Sequence, residues 1–298
     1  MLYYIQCSRQ NSCRELFAIF ENLKSDDMSL IPNEFKNAVV SIGVRTGNGD
    51  ILWSGTGFLL CRTLKEGEKK DYPFLVSNRH VFNNKGNIAI RLMKKDTGEL
   101  VILDLPLLDA DGKPLFHTHG NPEIDIAVLP LDVGMLNANS ILFYCFDVDN
   151  NLMDSEGLRS NGADEGSLVY MLGFPMRLVN VDSGLPICRL GCIARCSRTQ
   201  IEETGNILVD IQNFPGNSGS PIILRPEQMT LKGTPNCPEC KLIGIVHSYI
   251  PYREELMNTQ TKQVVEIRSE NSGLAWVHPA EYILELIDQI VPQSVPSH

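Results

Sequence analysis

A serine lies in a tightly turning stretch, "FPGNSGSP", which runs from Phe214 to Pro221. Gly216 and Gly219 permit backbone conformations and close approaches that a Cβ would block, and the flanking prolines fix φ. Such a turn can hold the Ser218 hydroxyl outward while backbone N–H groups converge beside it, which is the geometry of a nucleophile with an oxyanion hole. An ordinary Gly/Asn/Ser turn that leads into a strand explains the same residues. A nucleophilic serine would need a base and an orienting acid from elsewhere in the chain.

Two other segments supply such residue types. "FLVSNRHVF" places His80 just after an apolar strand, where a loop or a single helical turn would hold its ring at a rim. A structural histidine satisfied by its neighbours is the alternative. "EIDIAVLPL" places Asp125 inside an apolar run, where an unpaired carboxylate is costly. The aspartate therefore indicates a fixed donor partner, although a hydrogen bond to backbone at a strand end is the ordinary explanation.

The segments that must position these residues are short apolar runs rich in Val, Ile and Leu. One series precedes residue 132 and includes "AVVSIGV", "ILWSGTGFLL" and "IAIRLM"; a second follows residue 165 and includes "SLVYMLGFP", "NILVDIQ" and "KLIGIVHSYI". Clusters of Gly, Asn, Asp and Lys separate the runs. This pattern predicts an all-β barrel or sandwich in each half of the chain.

Helices are predicted at the two ends. Apolar spacing over residues 12–24 indicates a short amphipathic helix with Ser12 as its cap, and "PAEYILELIDQIV" indicates a terminal helix that begins near Pro279. The predicted organisation is an N-terminal helical extension (1–35), a first β-barrel (36–135), an inter-barrel linker (136–165), a second β-barrel (166–278), and a C-terminal helix and tail (279–298).

Composition narrows the class of partner. The chain has 298 residues, of which 43% are hydrophobic, and 26 Lys+Arg against 36 Asp+Glu give a formal net charge of −10. That charge repels a nucleic-acid backbone or an anionic membrane, so neither is expected as a main partner. The N-terminus has no signal-peptide core, and no apolar run approaches the roughly 18 residues that span a bilayer. A cytoplasmic protein is therefore expected.

Nine cysteines form an odd set scattered through apolar runs, which favours reduced core thiols over a disulfide framework in a chain without an export signal. Cys237 and Cys240, in "NCPEC", have the spacing of a zinc knuckle. A structural zinc takes four ligands and this pair supplies two. The pair is open to two interpretations, a zinc site or a reduced surface hairpin, and no metal or organic cofactor is expected for the chemistry.

The motifs "SNRHVF", "DIAVLPL" and "GNSGSP", in this order across two β-units, resemble those of the trypsin-like (chymotrypsin-fold) serine peptidases. The bacterial branch with glutamyl endopeptidases and HtrA-type proteases is most similar, because it has GNSG where the digestive enzymes have GDSG. The resemblance covers roughly residues 36 to 278. It implies a chymotrypsin-like double barrel, two six-stranded antiparallel β-barrels with short N-terminal and C-terminal helices.

The resemblance also implies roles. Ser218 would be the nucleophile, His80 the general base, and Asp125 the group that fixes the His80 tautomer. The backbone N–H groups of Gly216 and Ser218 would form the oxyanion hole. Asn217 replaces an aspartate that the digestive enzymes satisfy with a new N-terminus, so activation by N-terminal cleavage is not expected.

The specificity pocket that the resemblance implies is lined by Gln212 and by His247, Ser248 and Tyr249. Neutral Gln212 disfavours Arg or Lys at the substrate's P1 position. His247 suggests an acidic or amide P1 side chain, as in glutamyl endopeptidases and viral 3C-type proteases. It stands one residue later than the histidine of those enzymes, however, and a one-residue shift on a strand turns a side chain to the other face.

The expected function is a serine endopeptidase that cleaves protein substrates through an acyl-enzyme intermediate, with protein or peptide substrates as its partners. No PDZ-like domain is expected after the barrels. A cytosolic protease needs narrow specificity or latency, so a regulatory or activating protein partner is expected, as in a bacterial defence-associated protease that acts on a partner protein. Two alternatives stay open: a catalytically silent barrel that binds a protein or peptide, and a viral or plasmid-borne protease specific for one precursor.

Overall fold

The structure is a computed structural model that describes residues 30–64, 70–180, 183–227 and 237–292. The helix predicted over residues 12–24 lies outside the described residues. Two β-units make up the described chain, and each contains its own apolar core. A third apolar core joins them and includes the C-terminal helix.

The first unit is a nine-stranded sheet in the described residues, ordered β5-β4-β1-β2-β3-β7-β6, with β8 paired to β4 and β9 to β2. Its strands are β1 (Val39–Arg45), β2 (Ile51–Leu64), β3 (Lys70–Ser77), β4 (Asn87–Lys94), β5 (Leu100–Pro106), β6 (His117–Thr118), β7 (Ala127–Pro130), β8 (Ile141–Leu142) and β9 (Phe146–Asp147). The pair of β2 and β9 is parallel. Residues predicted to lie in the linker therefore add β8 and β9 to this sheet.

The second unit is a closed antiparallel barrel in the order β10-β11-β12-β15-β14-β13. Its strands are β10 (Leu168–Gly173), β11 (Ile187–Arg195), β12 (Ile207–Asp210), β13 (Pro221–Leu224), β14 (Lys241–Met257) and β15 (Val264–Pro279). A closed six-stranded barrel beside a second β-unit confirms the predicted fold class, the chymotrypsin-like double barrel. The outer part of the β14–β15 hairpin extends beyond the barrel, and its pairing reaches Met257↔Val264.

Short helices fill the connections: α1 (Asn33–Asn37), α2 (Arg79–Phe82), α3 (Val133–Ala138), α4 (Val148–Asn151), α5 (Ser155–Ser160), α6 (Arg198–Thr204) and α7 (Glu281–Ile290). Helix α7 is the predicted C-terminal helix, and it buries Ile283, Leu286 and Ile287 in the core shared by the two units. None of the helices in the described chain is long and apolar enough to cross a membrane.

A buried arginine also links the first unit to α7. Arg62 on β2 is 2% exposed, and its guanidinium lies 3.2 Å from Asp149 and 2.5 Å from Asp288. It also donates a hydrogen bond of 2.8 Å to the carbonyl of Val291. Because a buried charge must be paired to be tolerated, these contacts fix the end of α7 against β2.

Candidate active site

His80 and Asp125 meet at the end of β3. His80 lies in α2, the single helical turn that follows β3 after extended Asn78, and Asp125 lies just before β7. The Nδ1 atom of His80 makes a short hydrogen bond to Oδ2 of Asp125, and the backbone N–H of His80 donates to Oδ1 at 3.0 Å. Both carboxylate oxygens therefore hold one histidine. The His80 side chain is 50% exposed and that of Asp125 is 18% exposed.

The backbone of Asp125 is fixed as well. Its carbonyl accepts hydrogen bonds from Nδ2 of Asn78 at 2.9 Å and from the N–H of Arg79 at 3.3 Å. Its own N–H donates to Nε2 of His278 at 3.0 Å. Burial acts to raise the pKa of the Asp125 carboxyl, but the hydrogen bonds and the charge of His80 outweigh burial, so the pKa lies below its usual value. Asp125 is therefore ionised at neutral pH.

Ser218 lies in a turn that two glycines shape. Gly216 has φ of 101° and Gly219 has φ of 87°, in the left-handed region that favours glycine. A Cβ on Gly216 would lie 2.4 Å from the carbonyl oxygen of Phe174, and one on Gly219 would lie 2.0 Å from that of Thr56. The turn can therefore close against its neighbours only with glycine at both positions.

Thr56 on β2 joins this turn to the first unit. Its N–H donates to the carbonyl of Ser218 at 2.9 Å, and its hydroxyl donates to the carbonyl of Gly216 at 2.7 Å. The same hydroxyl accepts the N–H of Phe174 at 3.1 Å. The Thr56 carbonyl accepts the Ser77 hydroxyl at 2.7 Å. One buried threonine thus contacts both the serine turn and the last residue of the strand that leads to His80.

The neighbouring glycine brings the two halves of the site together. A Cβ on Gly55 would lie 2.8 Å from Val81, the residue after His80, and 3.6 Å from the carbonyl oxygen of Ser218. The serine turn and the histidine turn therefore pack on the same two residues of β2. His80 and Ser218, both described, are not hydrogen-bonded to each other, and Ser218 is partly exposed.

The predicted oxyanion hole consists of two amides. Within the described ranges, no acceptor is bonded to the N–H of Gly216 or of Ser218. The intervening Asn217 is 1% exposed, and its Nδ2 atom has no partner among the described residues. Amides without an acceptor beside a partly exposed serine meet one requirement of an oxyanion hole.

Three of the residues predicted for the specificity pocket lie near β15. Ser248 and Tyr249 on β14 pair with Trp276 and Ala275 of β15, and Tyr249 is 41% exposed. Gln212 is exposed, and its Nε2 atom would lie 3.4 Å from a Cβ on Gly273 of β15. Ser248 and Tyr249 are thus part of the β14–β15 pair, and Gln212 lies beside β15.

His247, the fourth residue, has different neighbours. The register of β14 shifts between Val246 and Ser248, which leaves His247 at an irregularity of the strand. Its ring stacks on His278 with centroids 4.0 Å apart, and its Nε2 atom bonds Oδ1 of Asn206 at 2.8 Å. The ring lies against His278, the histidine that holds Asp125. Sequence analysis listed His247 with Gln212 and also noted that its one-residue offset turns the side chain to the other face.

Sequence analysis did not find His278 or Thr56. His278 is 1% exposed at the end of β15, and the signal for it was the same as for His80, a histidine that ends an apolar run. Thr56 is a buried hydroxyl within the apolar strand β2. A polar residue that interrupts such a strand indicates a specific hydrogen-bond partner, but not which one.

Cys237 and Cys240 are both 7% exposed, so their side chains are buried, and Cys237 forms an antiparallel bridge with Glu227. Cys240 Sγ donates to the carbonyl of Leu30 at 3.5 Å, and Cys237 Sγ donates to that of Glu239 at 3.6 Å. Burial raises the pKa of both thiols, that of Cys240 to about 11. In this arrangement each thiol donates to a backbone carbonyl, and a zinc site at this pair stays a prediction from the sequence.

No protein-family model matches the chain, and no curated protein matches it. Among solved structures it is similar to the apo form of the MamO protease domain from Magnetospirillum magneticum, at 13% sequence identity over 85% of this chain and 97% of that chain, with a TM-score of 0.44. A likeness of this size carries no inference about the activity of this chain.

Proposed function

We propose that this chain is a serine endopeptidase that cleaves protein or peptide substrates through an acyl-enzyme intermediate. The observation that carries the proposal is the packing of both reactive turns on Gly55 and Thr56. The serine turn bonds to Thr56, and the turn that holds His80 packs on Gly55 with its histidine bonded to Asp125. Geometry of this kind lets a base and a nucleophile act on one substrate carbonyl.

The proposed reaction begins when Ser218 Oγ attacks the scissile carbonyl and His80 Nε2 takes its proton. Asp125 holds the Nδ1–H of His80, so that Nε2 is the free base, and stabilises the imidazolium that forms. The amides of Gly216 and Ser218 bind the oxyanion, and loss of one such donor typically costs roughly 100- to 1000-fold in rate. His80 then protonates the leaving amine, and water hydrolyses the acyl-enzyme by the same steps.

The missing hydrogen bond between His80 and Ser218 is compatible with this reaction. Catalytic hydrogen bonds are often long without substrate and tighten in the Michaelis complex. Asp125 is fixed through its N–H, its carbonyl and both carboxylate oxygens, so the base is oriented before substrate binds. In the proposed reaction the Ser218 side chain and the exposed His80 ring approach each other when substrate binds.

The P1 residue stays an open part of the proposal. Gln212 supports a preference for side chains other than Arg and Lys. A Cβ on Gly273 would, however, lie 3.8 Å from Oδ1 of Asp210 as well as 3.4 Å from Gln212, which places a carboxylate beside the amide. Profiling with a peptide library should therefore include basic residues alongside Glu and Gln at P1.

Covalent labelling with a fluorophosphonate probe tests the proposal, because capture needs an activated serine and no knowledge of substrate. We expect wild-type protein to label and the Ser218→Ala and His80→Ala variants not to label. Ser269→Ala, which removes an exposed serine of the β14–β15 hairpin, serves as the matched control and should label like wild type. Folded wild-type protein that does not label would contradict the proposal and favour the silent barrel.

Control by a protein partner, location in the cytosol and a role in bacterial defence stay predictions from the sequence. The His80 side chain is 50% exposed among the described residues, which supports a site that substrate can reach. If labelling of the isolated protein is slow, a partner that accelerates it would support the predicted regulation.

A further inference from the structure

We infer that His278 is a positioning residue for this reaction, which holds the main chain of Asp125 so that its carboxylate meets His80, and that His247 keeps the His278 ring in place. The inference rests on the proposed function, because positioning has a consequence only if Asp125 serves a working His80. It adds to the site two histidines that neither donate to nor accept from His80.

The partners of His278 fix its tautomer. A backbone amide can only donate, so the N–H of Asp125, 3.0 Å from Nε2, requires a bare nitrogen there. A carbonyl can only accept, so the oxygen of Gly205, 3.2 Å from Nδ1, requires the proton on Nδ1. His278 is thus a neutral ring with one donor and one acceptor, each aimed at a specific backbone group.

His247 is held in a similar way. Asn206 Nδ2 donates to the carbonyl of Thr204 at 2.5 Å, which makes its Oδ1 atom the acceptor. Oδ1 lies 2.8 Å from His247 Nε2, so that nitrogen carries the proton. The two imidazole rings stack at 4.0 Å with an interplanar angle of 8°. Gly205 and Asn206, consecutive residues between α6 and β12, therefore hold one histidine each.

The surroundings keep the stacked pair neutral. Burial lowers the pKa of both rings, and for His247 the combined effect of burial, His278 and His80, opposed by Asp125, is a pKa of about 3. The ring of Tyr282 on α7 packs edge-on against His278 at 6.2 Å. Because a protonated Nε2 could not accept the N–H of Asp125, a neutral His278 is the form that the hydrogen bond requires.

The consequence for Asp125 follows from its other bonds. Asn78 and Arg79 hold its carbonyl, on the side of His80, and His278 holds its N–H from the second unit. Without an acceptor at His278, a partly buried N–H would lose its partner and the peptide would be free to move. A misplacement of about 1 Å at a catalytic group can cost on the order of 100-fold in rate.

Two substitutions separate positioning from packing. His278→Phe keeps an aromatic ring that can stack on His247 and contact Tyr282, but it removes the acceptor. His278→Gln loses the ring but keeps an amide whose oxygen can accept from Asp125 and whose nitrogen can donate to Gly205. If His278 acts only through packing, the Phe variant should keep more of the labelling rate than the Gln variant. If His278 positions Asp125, the Gln variant should keep more of it.

The experiment measures the second-order rate of fluorophosphonate labelling together with the tautomer of each ring from long-range ¹H–¹⁵N imidazole correlations. The chain has six histidines, so the signals can be assigned by substitution. We expect His278→Phe to label roughly 10- to 100-fold more slowly than wild type, with His80 distributed between its two tautomers. His278→Gln should label within a few-fold of wild type and keep the proton of His80 on Nδ1. His117→Phe, on exposed β6, should match wild type.

Three results would overturn the inference. The first is a wild-type His278 with its proton on Nε2, and the second is a folded Phe variant with the labelling rate and the His80 tautomer of wild type. The third is a Gln variant whose labelling rate and His80 tautomer are as disturbed as those of the Phe variant. Thermal unfolding of each variant establishes that it is folded. The tautomer readout does not depend on activity. If the wild type fails to label, the proposed function fails, while the effect of His278 on the His80–Asp125 pair is still measured.

Discussion

The carbonyl oxygen of Ser218 accepts a hydrogen bond from the backbone N–H of Thr56 at 2.9 Å. Ser218 belongs to the second unit and Thr56 to β2 of the first. The serine turn is thus shaped by a strand of the other unit, and the same threonine also bonds Gly216 through its hydroxyl. The candidate site therefore depends on contact between the two units, as well as on the local sequence of each motif.

Replacement of the Thr56 hydroxyl should weaken both the fold and the site. Thr56→Val keeps the shape but leaves the carbonyl of Gly216 and the N–H of Phe174 without their partner. We expect a loss of about 1–3 kcal/mol in the free energy of unfolding and slower probe labelling, because the hydroxyl no longer holds the peptide between Gly216 and Asn217 within the serine turn. Thr56→Ser keeps the hydroxyl and should retain most labelling. Equal labelling by folded Val and wild-type proteins would contradict this role.

Gly219→Ala should be among the most damaging small substitutions in the chain. The added Cβ would lie 2.0 Å from the Thr56 carbonyl oxygen and 2.4 Å from Ser77 Oγ, at φ of 87°. Backbone strain and overpacking together should lower the free energy of unfolding by at least about 2 kcal/mol and abolish labelling. Gly86→Ala is the matched control, because its Cβ would meet nothing within 4 Å. Denaturant unfolding of both variants measures the difference, and similar losses would refute the steric explanation.

Removal of the carboxylates that pair with the buried guanidinium of Arg62 should destabilise the fold more than removal of the guanidinium itself. The double variant Asp149→Asn with Asp288→Asn leaves a 2% exposed charge without a carboxylate and should lose about 3 kcal/mol in the free energy of unfolding. Arg62→Met removes the charge while it fills much of the volume, and should lose less. Denaturant unfolding measures both variants. A Met variant that is less stable than the double Asn variant would contradict the prediction, because it would mean that the ion pairs themselves stabilise the fold.

Local patterns were sufficient to predict much of the fold. Alternating apolar runs predicted the β-units, and the apolar spacing from Pro279 onwards predicted α7, because strand and helix periodicities are properties of neighbouring residues. Strands β8 and β9 were not predicted, because a strand of two residues is too short to show a periodic pattern of apolar side chains. Their place in the sheet depends on pairing with β4 and β2, not on their own sequence.

In the candidate site, too, residues within short motifs could be predicted, whereas residues defined by contacts distant in sequence could not. His80, Asp125 and Ser218 each lie in a short motif, from which the sequence predicted them as site residues. Thr56 bonds a residue 160 positions away, and Asp125 bonds His278 at a separation of 153. Periodicity indicates which face a residue occupies but not which distant group it will meet. Contacts of this kind become visible only when the barrels are packed together.

The partly buried His247 should make the protein less stable in mild acid. Its pKa is about 3 in the folded state and about 6.5 when unfolded, so below pH 6.5 the unfolded chain binds a proton that the folded chain does not. The contribution of His247 to the free energy of unfolding is therefore constant above pH 6.5 and falls as pH drops towards 3, by about 2 kcal/mol at pH 5.

His247→Gln removes this titration. Between pH 8 and pH 5 the variant should therefore lose about 2 kcal/mol less than wild type in the free energy of unfolding, whatever its stability at pH 8. Urea unfolding at a series of pH values measures the difference in slope. His117→Gln is the control. Partial burial lowers the pKa of His117, but this histidine is exposed, so its removal should change the dependence of the unfolding free energy on pH less. A variant that follows the wild-type slope would show that His247 is protonated in the folded protein at pH 5, which its partly buried position and its stacking on His278 disfavour.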